Sequence, residues 1–285
     1  MNTVKGRRPL VRVSMILILS LFAIFSLVPF YFLIISAFKP GVEMIRFGIS
    51  LDPHFEKFTL DLFKQLFSPD PSVSRNYFTW YQNSILYTSV QTVLGLVLTS
   101  MVGYGLGSYK FKGRNFFFVL VLLVMMIPLE IMMIPLFKEM NLFGFMDNIL
   151  GVVLPFVVFP SAVFFFRQYS LGLPDELRDA GRIDGLTEYG IFTRIMVPLM
   201  KPAYGAMAIL ISMNSWNSIV WPMVVLRSDN KKTIPIGLST LLTPYGNNYD
   251  LLLSGAVLAV VPIVVLFALF QKSFLEGLTV GSVKG

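Results

Sequence analysis

The sequence predicts an all-α polytopic membrane protein with about six transmembrane helices. Three observations lead there. The 285 residues are 55% hydrophobic and only 14% charged, with a mean hydropathy of +0.72. Soluble domains carry roughly 25% charged residues, so a soluble fold of this length could not hide such an apolar excess. Apolar runs of about twenty residues recur, each long enough to cross a hydrocarbon core of ~30 Å. Inside lipid the backbone must satisfy its own hydrogen bonds, so these runs must be helices.

The elements follow in order. Residues 1–12 carry Lys5, Arg7, Arg8 and Arg12 ahead of a first span at 13–36. That run exceeds the ~7–15 residues of a secretory signal core and has no small-x-small cleavage site after it, so a retained anchor is expected. Residues 37–81 hold Pro40, Pro53, Pro69 and Pro71 with charges of both signs, and are too polar to cross. The second span is 82–108, followed by a basic link with Lys110, Lys112 and Arg114. The third span is 115–137, interrupted by Pro128 and Pro135; the fourth is 148–166, with Pro155 and Pro160. A polar stretch fills 167–201, the fifth span is 202–226, a polar loop fills 227–250, the sixth span is 251–271, and residues 272–285 form a tail. In the second span Gly95, Thr99, Gly103 and Gly107 recur every four residues and line one helix face with small side chains. Such a face lets another helix approach closely, either within the chain or across a subunit interface.

Orientation follows from the positive-inside bias. The amino terminus and the 110–114 link are short and basic, which places both in the cytoplasm together with 167–201 and the tail. Loops 37–81 and 227–250 then face outward; in the first, Glu43, Asp52, Glu56, Asp61 and Asp70 accompany the basic residues. The expected location is a bacterial cell membrane with both termini cytoplasmic.

Composition removes several function classes. There is no cysteine, hence no disulfide or thiol chemistry, and His54 is the single histidine. A histidine-built catalytic or metal cluster is excluded, and no metal site is expected. The net charge of +7 flanks apolar spans, so anionic lipid headgroups explain it better than nucleic acid. An intramembrane enzyme would need a paired carboxylate or a nucleophile with a base, and no catalytic residues are found. A stand-alone secondary transporter would need internal repeats or several acids in its spans, and neither is seen.

The most informative stretch is Leu173–Pro202. Pro174 suits a first helical turn, and Asp175 and Glu176 suit its positive end. Leu177, Ala180 and Ile183 make one apolar stripe, Gly185 is a natural stop, and Thr187 caps a second helix whose apolar face is Ile191, Phe192 and Ile195. Pro198 is expected to end that helix. Asp179, Arg182 and Asp184 add charges of both signs. Two readings fit the pattern: docking into a groove of a soluble partner, or an amphipathic pair resting on headgroups.

This stretch resembles the EAA loop of permease subunits in bacterial ABC importers. The pattern runs Asp179-Ala180-Gly181, then Arg182-Ile183-Asp184-Gly185, then Ile195-Met196-Val197-Pro198. Asp179 stands where glutamate is usual and Gly181 where the second alanine is usual. With Ser215-Trp216-Asn217 and the terminal Gly277-Leu278-Thr279 and Val283-Lys284-Gly285, the whole chain resembles the carbohydrate-importing branch, and within it the shorter permease, the counterpart of the maltose importer's second membrane subunit. The resemblance implies a type I importer permease fold, with residues 82–271 as the transmembrane domain. It implies that Asp179, Ala180, Gly181, Asp184, Gly185 and Pro198 couple to a cytoplasmic ABC ATPase dimer. It also implies a second homologous permease and an extracytoplasmic sugar-binding protein as partners, and transport of a carbohydrate, with a non-sugar solute such as glycerol phosphate as an alternative. Arabinose- or galactose-containing oligosaccharides fit the overall resemblance. No G-x-x-x-x-G-K-[ST] loop occurs, so no cofactor is expected on this chain; ATP and Mg belong to the partner ATPase.

Candidate pathway residues are polar groups inside spans, where lipid exposure is costly. Asn214, Ser215, Trp216 and Asn217 in the fifth span could hydrogen-bond and stack on a sugar, or simply join helices. Glu130, the one carboxyl inside an apolar run, could be a gate contact or a group snorkelling to the interface. Tyr245, Asn247 and Asn248 in the last outward loop could meet a binding protein, or form an ordinary solvated loop.

Overall fold

The computed structural model describes residues 7–42, 54–74, 76–243 and 246–279. In chain order the helices are α1 (Arg7–Ala37), α2 (Asp61–Leu66), α3 (Pro71–Ser74), α4 (Tyr77–Ser108), α5 (Arg114–Met125), α6 (Leu129–Leu142), α7 (Ile149–Val153), α8 (Pro160–Ser170), α9 (Glu176–Ile183), α10 (Glu188–Ile191), α11 (Val197–Leu199), α12 (Lys201–Trp216), α13 (Val220–Val225), α14 (Ile234–Ser239) and α15 (Tyr249–Thr279). A short antiparallel ladder pairs β1 (Leu242–Thr243) with β2 (Gly246–Asn247), Leu242 opposite Asn247.

Three helices are long and apolar enough to cross a bilayer unaided: Val11–Ala37, Tyr77–Ser108 and Tyr249–Leu275. Three further pairs reach that standard only together, each bent at a short break: α5 with α6 by 103°, Ile149–Phe156 with α8 by 42°, and Glu188–Leu199 with α12 by 80°. The described residues therefore hold three spans, or six if each bent pair is one.

Prolines account for most of the departures from straight spans. The expected span 115–137 is divided at Pro128, whose extended backbone (φ −63, ψ 138) ends the run of α5 and caps α6. A proline disfavours helical backbone in the residue before it, which makes this the natural break. The expected span 148–166 is α7, a 3₁₀ turn at Leu154–Phe156 containing Pro155, and α8 opening on Pro160. The expected span 202–226 is α12, which ends at Trp216, and the short α13.

Contacts define two compact units: residues 1–77 with 240–260, and residues 78–239 with 261–285. In the first, Phe38 stacks on Phe58 at 5.5 Å and meets Phe63 at 4.9 Å. The Tyr77 hydroxyl donates to the Gly255 carbonyl at 2.7 Å, and the Gly41 amide donates to the Asp250 carboxylate. None of the apolar window of α1 is covered within the structure, as expected for a helix facing lipid or another chain.

The second unit has its core around Phe166, Ile191, Met196, Met200 and Ile211, all essentially inaccessible. The small-residue stripe of α4 is where α8 seats. A Cβ on Gly103 would lie 2.6 Å from the Phe166 Cβ and 2.8 Å from the Val163 carbonyl; one on Gly107 would lie 2.8 Å from the Ser170 Cβ. Packing within this chain thus uses that face. Asp147, in left-handed backbone (φ 55), accepts from the Arg227 and Ser228 amides at 2.9 and 3.0 Å and from the Ser228 hydroxyl at 2.6 Å. Burial opposes its ionisation, but these bonds and Lys231 outweigh it and hold the carboxyl well below the usual carboxylate range.

Candidate functional site

The segment between α8 and α12 is built as two helical pieces around one glycine. α9 ends at Ile183, and Gly185 takes φ +77. The Leu186 amide then donates to the Gly181 carbonyl at 2.9 Å and the Gly185 amide to the Arg182 carbonyl at 3.0 Å. This is the Schellman arrangement, which satisfies the last carbonyls of a helix and favours glycine at the left-handed position. No atom lies within 4 Å of a Cβ built there, so the preference is conformational, not steric. Thr187 caps α10, its hydroxyl accepting from the Gly190 amide at 3.1 Å.

Pro198 does not end the second helix. Helical backbone runs from Glu188 to Leu199, because residues Phe192–Met196 form a wide π turn in which the Val197 amide reaches the Phe192 carbonyl. Pro198, lacking an N–H, falls in the first turn after it, where no donor is needed. The direction changes by 80° at Met200, where α12 begins. Ile191 and Phe192 are buried and Ile195 is half-buried, as the apolar spacing predicts.

The other stripe behaves differently. Leu177, Ala180 and Ile183 are exposed, Ile183 at 86%. Asp179, Asp184 and Gly185 share this exposure, whereas Gly181 is buried. A Cβ at Gly181 would lie 2.8 Å from the Ile195 Cδ1 and 3.0 Å from the Ile191 Cγ1, so the glycine lets α9 sit directly on the π turn. α9 therefore turns its glycine inward and its apolar stripe outward.

Arg178, Tyr109 and Glu188, which the sequence reading passed over, fix α9 in place together with Arg182. Arg178, 9% exposed, donates to the Ser108 carbonyl at the end of α4 and to Asp175 at 2.5 Å, and lies over the Tyr109 ring at 5.6 Å. Arg182 donates to Glu188 at 2.7 Å and to Asp179 at 2.8 Å. The Tyr109 hydroxyl donates to the other Glu188 oxygen at 2.5 Å. The Arg182 bond, followed by that of Tyr109, holds the Glu188 carboxyl below its ordinary range. Burial and then the Glu188 bond push the Tyr109 phenol upward. Only Glu188 had a local sequence signal, an acid directly after a capping threonine.

The polar cluster of the expected fifth span divides. Asn214 and Ser215 line a cleft of about 260 Å³ together with Gln91, Phe156, Trp221 and Thr233. Trp216 is not there; it is buried edge-on against Tyr81 at 5.8 Å. Asn217 is exposed at the end of α12 and bonds the Met213 carbonyl at 2.9 Å. Glu130 is exposed in the first turn of α6, where an acid suits the helix dipole. Asn248 caps α15, its side chain accepting from the Leu251 amide at 3.0 Å. Tyr245 and the side chain of Asn247 lie outside the described residues. Among the described residues no cluster of three or more metal-ligating side chains exists.

The site is thus an exposed two-helix segment among bent helix pairs. The fold matches, with a TM-score of 0.80 and 20% identity over 95% of this chain and 99% of the other, a chain in the crystal structure of a bacterial ABC transporter involved in the import of the acidic polysaccharide alginate. Residues 95–279 match the family of binding-protein-dependent transport system inner membrane components. The arabinooligosaccharides transport system permease protein AraQ of Bacillus subtilis (strain 168) is 52% identical over 274 residues, 96% of each chain. The lactose transport system permease protein LacG of Rhizobium radiobacter is 34% identical over 285 residues, 100% of each. The chain belongs to this family of inner-membrane ABC importer permeases.

Proposed function

We propose that this chain is one of two permease subunits of an ATP-driven importer for an arabinose-containing oligosaccharide. A second homologous permease completes the pathway, an extracytoplasmic sugar-binding protein delivers the substrate, and an ABC ATPase dimer with ATP and Mg drives the cycle from the cytoplasm. The substrate class is supported by the likeness to AraQ across nearly all of both chains. The coupling role rests on one observation. α9 is anchored at its base, yet leaves Leu177, Ala180 and Ile183 uncovered beside Asp179 and Asp184. An apolar stripe rimmed by charge on a rigid helix suits a groove in a soluble partner. Asp179, Ala180, Asp184 and Gly185 are then the exposed contact and turn residues, while Gly181 and Pro198 support the helices behind them.

The test is uptake of radiolabelled arabinotriose by cells lacking their own importer and supplied with this chain and its neighbouring transport genes. ATP-dependent uptake is expected, and loss of ATPase co-purification is expected when Ile183→Asp is introduced. Uptake by this chain alone, without an ATPase, would sink the proposal.

A further inference from the structure

The cleft beside α12 has a donor and acceptor pattern that no structural need explains. Its lining contains no carboxylate, lysine, arginine or histidine. Trp221 uses its indole N–H on the Gly151 carbonyl at 3.0 Å and meets Phe156 edge-on at 5.8 Å, so the two rings offer only apolar surface. Among its polar groups, Asn214, Gln91 and Thr233 retain capacity. Asn214 donates to the Leu210 carbonyl at 2.8 Å, which leaves its oxygen as an acceptor. Gln91 accepts from the Ser215 hydroxyl at 2.9 Å, but its N–H₂ reaches the Phe156 carbonyl only at 3.5 Å, beyond ordinary hydrogen-bond length. Thr233 is 6% exposed, and its hydroxyl oxygen is buried with no hydrogen-bond partner. Thr233 immediately precedes α14, but its hydroxyl caps none of the helix's first amides: the second helical residue, Pro235, has no N–H, and the Ile234 amide donates to Ser84 at 2.8 Å.

A buried hydroxyl without a partner is costly unless something meets it. We propose that this cleft is a subsite for one uncharged sugar unit, so that this permease itself contacts the substrate during translocation. A pair of neighbouring sugar hydroxyls supplies what the three groups lack: each hydroxyl both donates and accepts, matching the Gln91 N–H₂, the Asn214 oxygen and Thr233. The ring C–H faces rest on Phe156 and Trp221. At about 260 Å³ the space falls just under the ~300–1,000 Å³ of sites for drug-sized ligands, which suits one ring rather than an oligosaccharide. The absence of any cation from the lining selects against uronic acids and phosphate esters, whose charge would go unpaired. This assignment rests on the carbohydrate reading above.

The experiment uses the assembled importer in nanodiscs without its binding protein, titrated with arabinobiose by saturation-transfer NMR, alongside arabinotriose uptake by the complete importer. Thr233→Val removes the hydroxyl at nearly constant volume. Loss of one neutral hydrogen bond is expected to weaken arabinobiose about two- to tenfold. The sugar-free thermal midpoint should hold or rise, because an unpartnered buried hydroxyl has been removed. A variant that is more stable and binds less well is the signature of a ligand group. Unchanged binding with a raised midpoint would show that the cleft holds only water and overturn the subsite alone, since uptake by the wild type continues. Tighter binding of glycerol 3-phosphate than of arabinobiose would overturn the neutral-sugar assignment. Failure of the wild type to take up arabinotriose removes the function reading and the subsite with it.

Discussion

Gly185 offers the sharpest test of how the exposed helix is held. The perturbation is Gly185→Ala, compared with Gly185→Asn. At φ +77 an alanine pays the left-handed penalty of about 1–2 kcal/mol, partly offset by its stiffer unfolded chain, which contributes about 0.4–1 kcal/mol. No steric cost is added, since the Cβ meets nothing within 4 Å. The net loss is about 1 kcal/mol, and it acts locally on the Schellman bond from Leu186 to Gly181. Asparagine tolerates left-handed backbone, so its cost should be a few tenths of a kcal/mol. Hydrogen–deuterium exchange at the Leu186 amide reads this directly: about 1 kcal/mol corresponds to roughly fivefold faster exchange for alanine, and asparagine should stay near wild type. Equal acceleration by both substitutions would refute the conformational argument. Equal protection in both would show that the cap does not need glycine.

Two further outcomes follow from the same geometry. Glu188→Gln should lower the thermal midpoint at pH 7 by breaking the Arg182 and Tyr109 bonds. Its folded pKa is depressed, so the wild-type advantage is present above the unfolded value of about 4.3 and lost as pH falls through the folded value. The two midpoints should therefore converge in acid, and a gap that persists well below that range would contradict the pairing. Gly103→Ala should destabilise by about 1–3 kcal/mol through overpacking, because its Cβ meets the Val163 carbonyl and the Arg167 amide, backbone that cannot yield. Gly105→Ala, with open space at its Cβ, should instead gain up to about 1 kcal/mol of helix propensity; thermal midpoints of the pair in one detergent compare them, and a shared sign would count against the seating of α8 on α4.

What was legible in the sequence was local. Gly185 and Thr187 were readable because a left-handed stop and a hydroxyl cap are properties of single residues in their immediate frame. The four-residue glycine stripe of α4 was readable as a close-packing face, although whether it met this chain or another depended on Val163 and Phe166, far along the sequence. The prolines marked weak points but not outcomes. Pro128 sits at a 103° break, whereas Pro135 lies inside α6 and Pro198 inside continuous helical backbone. The difference is what surrounds each: the π turn before Pro198 removes the clash that ends a helix elsewhere. In the polar cluster, residue type could not separate Asn214, which lines the cleft, from Trp216, which packs on Tyr81, because helical phase decides which side each one faces.

Arg178 was illegible for a more basic reason. Its partner is a backbone carbonyl, Ser108, seventy positions earlier, and a carbonyl has no residue-type signature. Yet this contact bears most on how a load applied to α9 could travel. The second helical piece continues to Leu199 and meets α12 at the 80° bend, so one route from the segment leads into that helix. The buried guanidinium supplies another route, joining the base of α9 to the last turn of α4, the helix that seats α8 along its glycine stripe. Charged groups hold a buried carbonyl more firmly than neutral ones, and the Tyr109 ring over the guanidinium limits its swing. Under the proposed coupling role, a push on the exposed stripe would be shared between α4 and α12, the two helices that contribute Gln91 and Asn214 to the cleft.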